Sequence, residues 1–278
     1  MGSIEPKNKI GEARPKKRLG QNFLIDHNIA AKIVRTADIK SGDAVIEVGP
    51  GRGILTGPIL EAGVELTCIE IDPGLAKSIE ASFNKVLNFR VINSDVLKFS
   101  FIDLSKETGK KYKLISNLPY NISGPMLAKL IDERAAFSMM VLMFQKEVAD
   151  RITAEPGTKA YGSLSVLTRA YMDVYTEFDI APHLFRPVPK VKSTVLSLRV
   201  LDAPRIEIKN EPLFKSVVKC AFAQRRKTLL NALKAICPEK GGAKEVLELA
   251  DIEPGRRGET LSLEEFGRLT RVFDGVIK

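Results

Sequence analysis

The sequence contains few of the residues from which disulfide frameworks and metal sites are built. Its 278 residues include three cysteines (Cys68, Cys220 and Cys237), and none of them forms a C-x-x-C pair. An odd number without such pairs argues against a disulfide framework and a zinc site, and it is typical of a reducing compartment. The two histidines, His27 and His183, lie far apart in the sequence, so neither a histidine-based triad nor a metal site is predicted.

Long hydrophobic runs are also missing. A membrane span needs a run of about 18 apolar residues, and the sequence has none. The start of the chain lacks the apolar stretch of a secretory signal. With 44% apolar residues, the chain can form one large α/β domain and a smaller second domain. We therefore expect a cytoplasmic, monomeric protein that has no membrane partner.

The net charge of +9 is concentrated toward the two ends of the chain. Residues 1–18 carry six basic and two acidic side chains, and residues 204–278 carry 15 and 11, so each segment has an excess of +4. Residues 19–203 carry 22 and 21 and are nearly neutral. The pattern predicts a polyanion held by the ends and presented to a central pocket. For the tail alone, a charged surface that maintains solubility explains the composition equally well.

Strands and helices alternate through the central part of the chain. Asp26 is suited to cap a first helix that runs to about Asp38. The elements predicted after it are strand 44–48, helix 54–62, strand 65–70, helix 74–83, strand 89–92, strand 112–116, helix 122–132, strand 139–144 and helix 145–153. Such alternation predicts an α/β fold with a mostly parallel sheet covered on both faces. Residues 171–180 and 194–201 alternate like an antiparallel pair that closes the sheet.

The pattern changes near residue 203, after which only helical periodicity is found. The predicted helices are 211–223, 226–236, 243–250 and 262–272. We therefore predict a basic flexible tail over residues 1–18, a large α/β domain over 19–203 and a small all-helical domain over 204–278.

A glycine-rich segment follows the first predicted strand of the sheet. Residues 47–53 read Glu-Val-Gly-Pro-Gly-Arg-Gly, and a helix is predicted directly after them. Gly49, Gly51 and Gly53 permit a sharp turn and a close approach to a ligand. The G-x-G-x-G spacing differs from the dinucleotide-binding G-x-G-x-x-G, and Pro50 has no N–H to donate to a phosphate.

Acidic residues end the next two predicted strands. Glu70 lies about 20 residues beyond the glycines, where an acid is expected to bind ribose hydroxyls. Asp95 follows the third strand and is placed to contact an adenine edge. Each acid alone could be an ordinary solvated turn residue. That interpretation does not explain why the acids recur at the ends of successive strands. The arrangement favours S-adenosylmethionine over NAD.

The tetrapeptide Asn117-Leu118-Pro119-Tyr120 follows a further apolar strand. An exocyclic base amine is a poor nucleophile, because its lone pair is delocalised into the ring. Acceptors on its N–H bonds favour pyramidal nitrogen, and Asn117 and the Leu118 carbonyl can provide them, while Pro119 limits how the chain turns. Tyr120 provides a flat stacking face. An ordinary turn would explain the four residues alone, but their position after the glycine motif favours amine methylation.

Two further segments are predicted to contribute to the site. Residues 19–24 (Leu-Gly-Gln-Asn-Phe-Leu) lie between the basic tail and the first helix and can fold over a ligand, or they can serve as a hydrophobic lead-in to that helix. Residues 185–193 (Phe-Arg-Pro-Val-Pro-Lys-Val-Lys-Ser) form a proline-stiffened loop with three basic side chains and no acid. This loop is predicted to hold Phe185 out as a second stacking face, and stacking beside positive charge suits an unpaired nucleotide.

Together these motifs resemble those of the ribosomal RNA adenine N6,N6-dimethyltransferases, and in particular the bacterial KsgA type. The resemblance runs from about residue 16 to residue 275, and it includes Phe222-Ala-Gln-Arg-Arg-Lys-Thr-Leu229 in the helical region. It implies a Rossmann-like class I methyltransferase domain, an rRNA-docking helical domain and S-adenosylmethionine as methyl donor, with no metal. The implied substrate is two adjacent adenosines near the 3′ end of small-subunit rRNA, within a pre-ribosomal small subunit.

The resemblance also implies roles for particular residues. The implied cofactor site comprises Asn22, Leu24, Gly49, Gly51, Glu70, Asp95 and Asn117. The implied catalytic set comprises Asn117, Leu118, Pro119 and Tyr120, with Phe185 opposite the target base. Three alternatives stay open: a related large-subunit rRNA methyltransferase of the antibiotic-resistance type, a non-catalytic RNA-binding assembly factor, and an NAD oxidoreductase, which the glycine spacing disfavours.

Overall fold

The computed structural model describes residue 16 and residues 19–224, 226–237 and 242–276. The chain divides into two compact units: the first is Met1–Ala149 with Val174–Val200, and the second is Asp150–Asp173 with Leu201–Lys278. Apart from Lys16, the predicted basic tail over residues 1–18 lies outside the described residues. So does Arg225, the first of three consecutive basic residues, Arg225-Arg226-Lys227, in the helical region.

A seven-stranded sheet forms the centre of the first unit, in the order β4-β3-β2-β5-β6-β9-β7. These strands are β2 (Ala44–Val48), β3 (Glu65–Glu70), β4 (Phe89–Asn93), β5 (Tyr112–Asn117), β6 (Phe137–Gln145), β7 (Met172–Ile180) and β9 (Ser193–Val200). The pairs from β4 to β6 are all parallel, and β9 is antiparallel to β6. The predicted α/β class with a mostly parallel sheet is confirmed.

Burial on both faces explains why these strands read as apolar runs. All five residues of β2 are buried, as are five of the six residues of β3. Helices cover a parallel sheet on both sides, so its strands lack the alternation of a sheet with one wet face. A separate two-stranded ribbon joins β1 (Phe23–Leu24) to β8 (Phe185–Arg186), so that two segments far apart in the sequence lie side by side.

The helices of the first unit begin at side-chain caps where the sequence provides them. They are α1 (His27–Thr36), α2 (Thr56–Glu61), α3 (Pro73–Ser82), α4 (Phe101–Thr108) and α5 (Ser123–Asp132). Asp26 caps α1 through the Ile29 N–H, as predicted, and Asp72 caps α3. Helix α4 was not predicted, and a short 3-10 turn over residues 120–122 precedes α5.

The second unit is helical, and it is larger than the predicted segment 204–278. Helix α6 (Lys146–Thr153) leads into it, and its other helices are α7 (Ser163–Tyr171), α8 (Glu211–Ala223), α9 (Leu229–Leu233), α10 (Gly242–Leu249) and α11 (Leu263–Val276). Residues 150–173, which the sequence pattern placed with the α/β domain, belong here. The physical reason is aromatic packing: Tyr161 contacts Phe222 edge-to-face at 5.8 Å, and Tyr171 contacts Phe214 at 6.4 Å.

Among the described residues, no helix is both long enough and apolar enough to cross a membrane.

Candidate active site

A pocket opens where the carboxyl ends of β2, β3, β4 and β5 meet. Parallel strands that run the same way end at one edge of the sheet, which is where open α/β sheets bind ligands. The lining residues come from the glycine turn, from the strand ends and from the segment before α1. Of the residues predicted from sequence, the pocket brings together Asn22, Gly49, Gly51, Glu70, Asp95, Asn117, Leu118, Pro119 and Tyr120.

The glycine turn leaves open space on its pocket side. Gly49 and Gly51 have φ angles of 66° and 56°, in the left-handed region that favours glycine. The Gly49 N–H donates to the Ile69 carbonyl at 2.9 Å, which holds the turn against β3. A Cβ built on Gly49 would meet nothing within 4 Å, whereas one on Gly51 would lie 2.9 Å from the Phe23 ring. Gly49 therefore leaves room for a ligand, and Gly51 leaves room for an aromatic side chain.

The Glu70 carboxylate lies at the end of β3 and is 3% exposed. Its Oε1 accepts the Asp72 N–H at 2.9 Å, and its Oε2 accepts the Gly51 N–H at 3.3 Å. Burial raises the pKa of Glu70, and the two backbone N–H groups partly offset that rise. Because a carboxylate has about four acceptor positions, Glu70 retains capacity for a further donor.

Asp95 lies just after β4, the strand that pairs with β3 in the sheet. One carboxylate oxygen accepts the Leu97 N–H at 3.0 Å, which fixes the turn after the strand. The flanking residues Ser94, Val96 and Leu97 also line the pocket, although the sequence did not single them out. A carboxylate beside an apolar wall suits a base that presents an amine and a flat face.

The Asn117 amide ends β5 and is oriented by the chain that crosses it. Its Nδ2 donates to the Asn22 carbonyl at 3.1 Å, and these residues are 95 positions apart in the sequence. This contact uses one N–H bond of Nδ2 and orients the amide, whose other end, Oδ1, is an acceptor. Leu118 is buried, and Pro119 has φ −57°, which turns the chain into the 3-10 segment.

Tyr120 is half-buried at the rim of the pocket. Its hydroxyl shares a hydrogen bond of 2.7 Å with the Ser193 hydroxyl. Burial raises the pKa of Tyr120, which keeps the phenol protonated. The ring therefore acts as a neutral surface rather than as a base.

The segment before α1 closes one side of the pocket. The Phe23 ring lies against the glycine turn, with the Arg52 guanidinium 4.9 Å from its centre. Gly20, at φ 62°, approaches Asn121 so closely that an added Cβ would lie 2.5 Å from the Asn121 side-chain oxygen. Both predicted interpretations of this segment agree with the structure, because residues 19–23 line the pocket and the Phe23 and Leu24 side chains are buried.

Comparison with known proteins agrees with this geometry. The family model described as ribosomal RNA adenine dimethylase matches residues 12–269. This chain belongs to that family. A "Ribosomal RNA small subunit methyltransferase A" of Geobacter metallireducens is 44% identical over 263 residues, which cover 94% of this chain and 96% of the relative. A protein of the same name from Clostridium botulinum is 43% identical over 270 residues and covers 97% of this chain and 98% of its own length.

Solved structures of related proteins share the architecture. A dimethyladenosine transferase from Plasmodium falciparum has a TM-score of 0.75 and 27% identity, and it covers 91% of this chain and 98% of its own. The 23S rRNA methyltransferase ErmE has a TM-score of 0.68 and 25% identity, over 91% and 99% of the two chains. The class I methyltransferase fold expected from the motifs is confirmed.

Two residues of this family member do not occupy the positions predicted from sequence. Phe185 was predicted to be held out by its proline-rich loop, and this prediction is wrong, because the ring is 0% exposed within the main hydrophobic core. Leu24 is also buried in that core and does not line the pocket. The cause is the β1–β8 ribbon, in which Leu24 and Phe185 are directly paired and turned inward. Val188 of the same loop is exposed instead.

The sequence reasoning also missed a buried acid beneath the pocket. Glu47, in β2 directly before the glycine turn, is 1% exposed. Its Oε2 accepts the Thr56 hydroxyl at 2.7 Å and the Cys68 thiol at 3.5 Å. Burial raises the pKa of Glu47 from 4.5 to about 7. Only its position at the start of the glycine motif distinguished it in the sequence.

Within the described ranges, no group of three or more histidine, cysteine, aspartate or glutamate side chains could hold a metal ion.

Proposed function

We propose that this chain transfers methyl groups from S-adenosylmethionine to N6 of two adjacent adenosines near the 3′ end of small-subunit rRNA, during assembly of the small subunit. The family and the names of the relatives support the reaction type and the rRNA subunit. The observation that carries the proposal for this chain is the orientation of the Asn117 amide. One N–H bond of its Nδ2 is held by the Asn22 carbonyl, and its acceptor end is assigned to the pocket.

The donor set of the pocket fits S-adenosylmethionine. Glu70 and Asp95 both line the pocket, and the spare acceptor capacity of Glu70 is assigned to the ribose hydroxyls and Asp95 to the adenine amine. The open space at Gly49 admits the methionine portion against the backbone of the turn. When it is bound, S-adenosylmethionine supplies a methyl group already activated by the positive sulfur.

The residues of the second motif act on the target amine. Asn117 Oδ1 and the Leu118 carbonyl accept its N–H bonds, which favours pyramidal nitrogen and stabilises the positive charge that develops on N6. Holding N6 in line with the methyl group contributes roughly 7–11 kcal/mol to rate acceleration in well-oriented reactions. No strong base is required, since the methylated amine is acidic and loses its proton to water.

Stacking of the target base is assigned to Tyr120. Extruding a base costs roughly a few kcal/mol, and a stacking contact returns about 1–3 kcal/mol. Because Phe185 is buried, stacking is assigned to the Tyr120 ring, which lines the pocket. The loop over residues 186–192 is exposed and basic, and it is proposed to contact nearby phosphates.

The test is methyl transfer from labelled S-adenosylmethionine to purified small-subunit particles that lack the modification, followed by mapping of the modified bases. Dimethylation at two adjacent adenosines is expected. Asn117→Ala should lower the rate by about 10²-fold or more while RNA binding persists, because it removes an acceptor needed mainly in the transition state. Asn88→Ala, at an exposed position, is the matched control.

The remaining alternatives give different results in the same assay. Labelling of large-subunit RNA instead of the small subunit would replace the proposal with the antibiotic-resistance type, to which the likeness to ErmE points. Tight binding of small-subunit particles without any transfer would identify an assembly factor that does not catalyse.

A further inference from the structure

The stacking ring of the pocket is held at both of its ends. Its Cα end is fixed by the turn that follows Pro119, and the next residue, Asn121, is packed against Gly20. Its distal end is the phenol oxygen, which lies 2.7 Å from the Ser193 hydroxyl. The phenol oxygen lies on the axis of the second side-chain bond, so holding it fixes where the ring lies and the direction of its long axis.

Ser193 is itself an immobile anchor. It is 0% exposed and is the first residue of β9, where it pairs with Gln145 in the antiparallel ladder. The Lys146 N–H donates to the Lys192 carbonyl at 2.9 Å, which secures the backbone directly before Ser193. A hydroxyl on a paired strand varies less in position than one on an exposed loop.

A positioned ring matters here because Phe185, the second stacking face expected from the sequence, does not line the pocket. A second stacking partner would confine the base from its other side, but Phe185 lies in the core. The direction from which N6 approaches the methyl group then depends on where the Tyr120 ring is held. Small misplacements of a reacting group reduce rates strongly, since reaction requires aligned orbitals at about 3–3.5 Å.

We propose that Ser193 is a positioning residue of methyl transfer, and that its hydroxyl holds the Tyr120 ring at the position where the target adenine stacks. This inference rests on the proposed function. It assigns a role to a residue 73 positions away from Tyr120 in the sequence. Ser193 does not touch the base, and its effect passes through Tyr120 alone.

Three variants test the contact. Tyr120→Phe keeps the ring and removes the phenol oxygen, Ser193→Ala removes the other partner, and the double variant removes both. Ser197→Ala is the matched control, because Ser197 is a buried serine of the same strand whose hydroxyl instead donates to Glu177 at 2.5 Å. Each protein is compared by thermal unfolding and by S-adenosylmethionine affinity, so that a folding defect is recognised.

Single-turnover methylation of small-subunit particles is the first measurement. Tyr120→Phe and Ser193→Ala should each lower the rate about three- to tenfold, the range of one neutral hydrogen bond. The double variant should be no slower than either single variant, because all three lack the same contact. Cofactor affinity should stay unchanged, and Ser197→Ala should react at the wild-type rate.

The second measurement places 2-aminopurine, which has no N6 amine to methylate, at a target position in the RNA. Stacking quenches its fluorescence, so Ser193→Ala should leave the bound probe brighter than the wild type or Ser197→Ala does. Equal rates and equal quenching in Ser193→Ala and the wild type would overturn the inference, as would fully additive losses in the double variant. Absence of methylation by the wild type would instead refute the proposed function.

Discussion

The buried carboxyl of Glu47 makes the stability of this protein depend on pH in a predictable direction. Its pKa is about 7 in the folded chain and 4.5 without burial. Below pH 4.5 the group is protonated in both the folded and the unfolded states. Between 4.5 and about 7 only the folded chain keeps the proton, so the free energy of unfolding falls as the pH rises. Well above pH 7 the carboxyl is ionised in both states, and it no longer makes the free energy of unfolding change with pH.

The magnitude follows from the size of the shift. One pKa unit corresponds to about 1.36 kcal/mol, so the ionised carboxyl should cost the folded state on the order of 3 kcal/mol at pH 8. Glu47→Gln has no proton to lose, and its side-chain oxygen can still accept the Thr56 hydroxyl. The variant should therefore lose this part of the pH dependence. Its stability relative to the wild type should be highest at alkaline pH.

Urea unfolding followed by circular dichroism at pH 5, 6, 7 and 8 measures the effect. The difference between Glu47→Gln and the wild type should shift by about 2.5 kcal/mol in favour of the variant across this range, because part of the cost has already appeared at pH 5. Glu80→Gln, which alters an exposed carboxylate on α3, is the matched control and should show no such shift. Parallel pH curves for Glu47→Gln and the wild type would refute the reasoning and mean that Glu47 is ionised, with its charge compensated.

Three further predictions concern the pocket and RNA binding. Glu70→Ala should weaken S-adenosylmethionine binding by about 1.5–3 kcal/mol in calorimetry, the range of a charge-assisted hydrogen bond, and unchanged affinity would remove Glu70 from the cofactor site. Gly51→Ala should lower the unfolding temperature more than Gly109→Ala, because both glycines have positive φ but a Cβ at Gly109 meets nothing within 4 Å. Equal shifts would show that the Phe23 ring beside Gly51 moves away freely. Changing the exposed Arg226 and Lys227 to Gln should reduce the slope of log binding constant against log salt concentration, for binding to the small subunit, by about 0.7–0.9 for each lost phosphate contact. Cofactor affinity should stay unchanged, and an unaltered slope would place RNA docking elsewhere.

Much of the first unit could be predicted because its determinants are local. Strands buried on both faces produce continuous apolar runs, and β2, β3 and β5 were found within one or two residues of their observed bounds. The glycine turn and the acids at the strand ends lie at one edge as a direct consequence of parallel strand direction. That is why nine of the predicted residues meet in a single pocket.

The boundary between the two units was harder to predict, because it depends on packing. The composition of residues 150–173 does not differ from that of the α/β segment before them. They join the helical unit through Tyr161 and Tyr171, whose ring partners are about 60 and about 40 residues away in the sequence. Periodicity shows that a face is apolar, but it does not show which surface covers that face.

The sequence by itself determined the α/β class, the edge of the sheet at which the pocket lies and the place of the Asn117–Tyr120 motif at that edge, because turn residues and strand periodicity act over short spans. Only the tertiary structure decided which side chains face the pocket. It buried Phe185 against β1, directed the Asn117 amide through the Asn22 carbonyl and joined Tyr120 to Ser193. Each of these outcomes depends on contacts between segments more than 70 residues apart, and such contacts form only when the whole sheet is assembled.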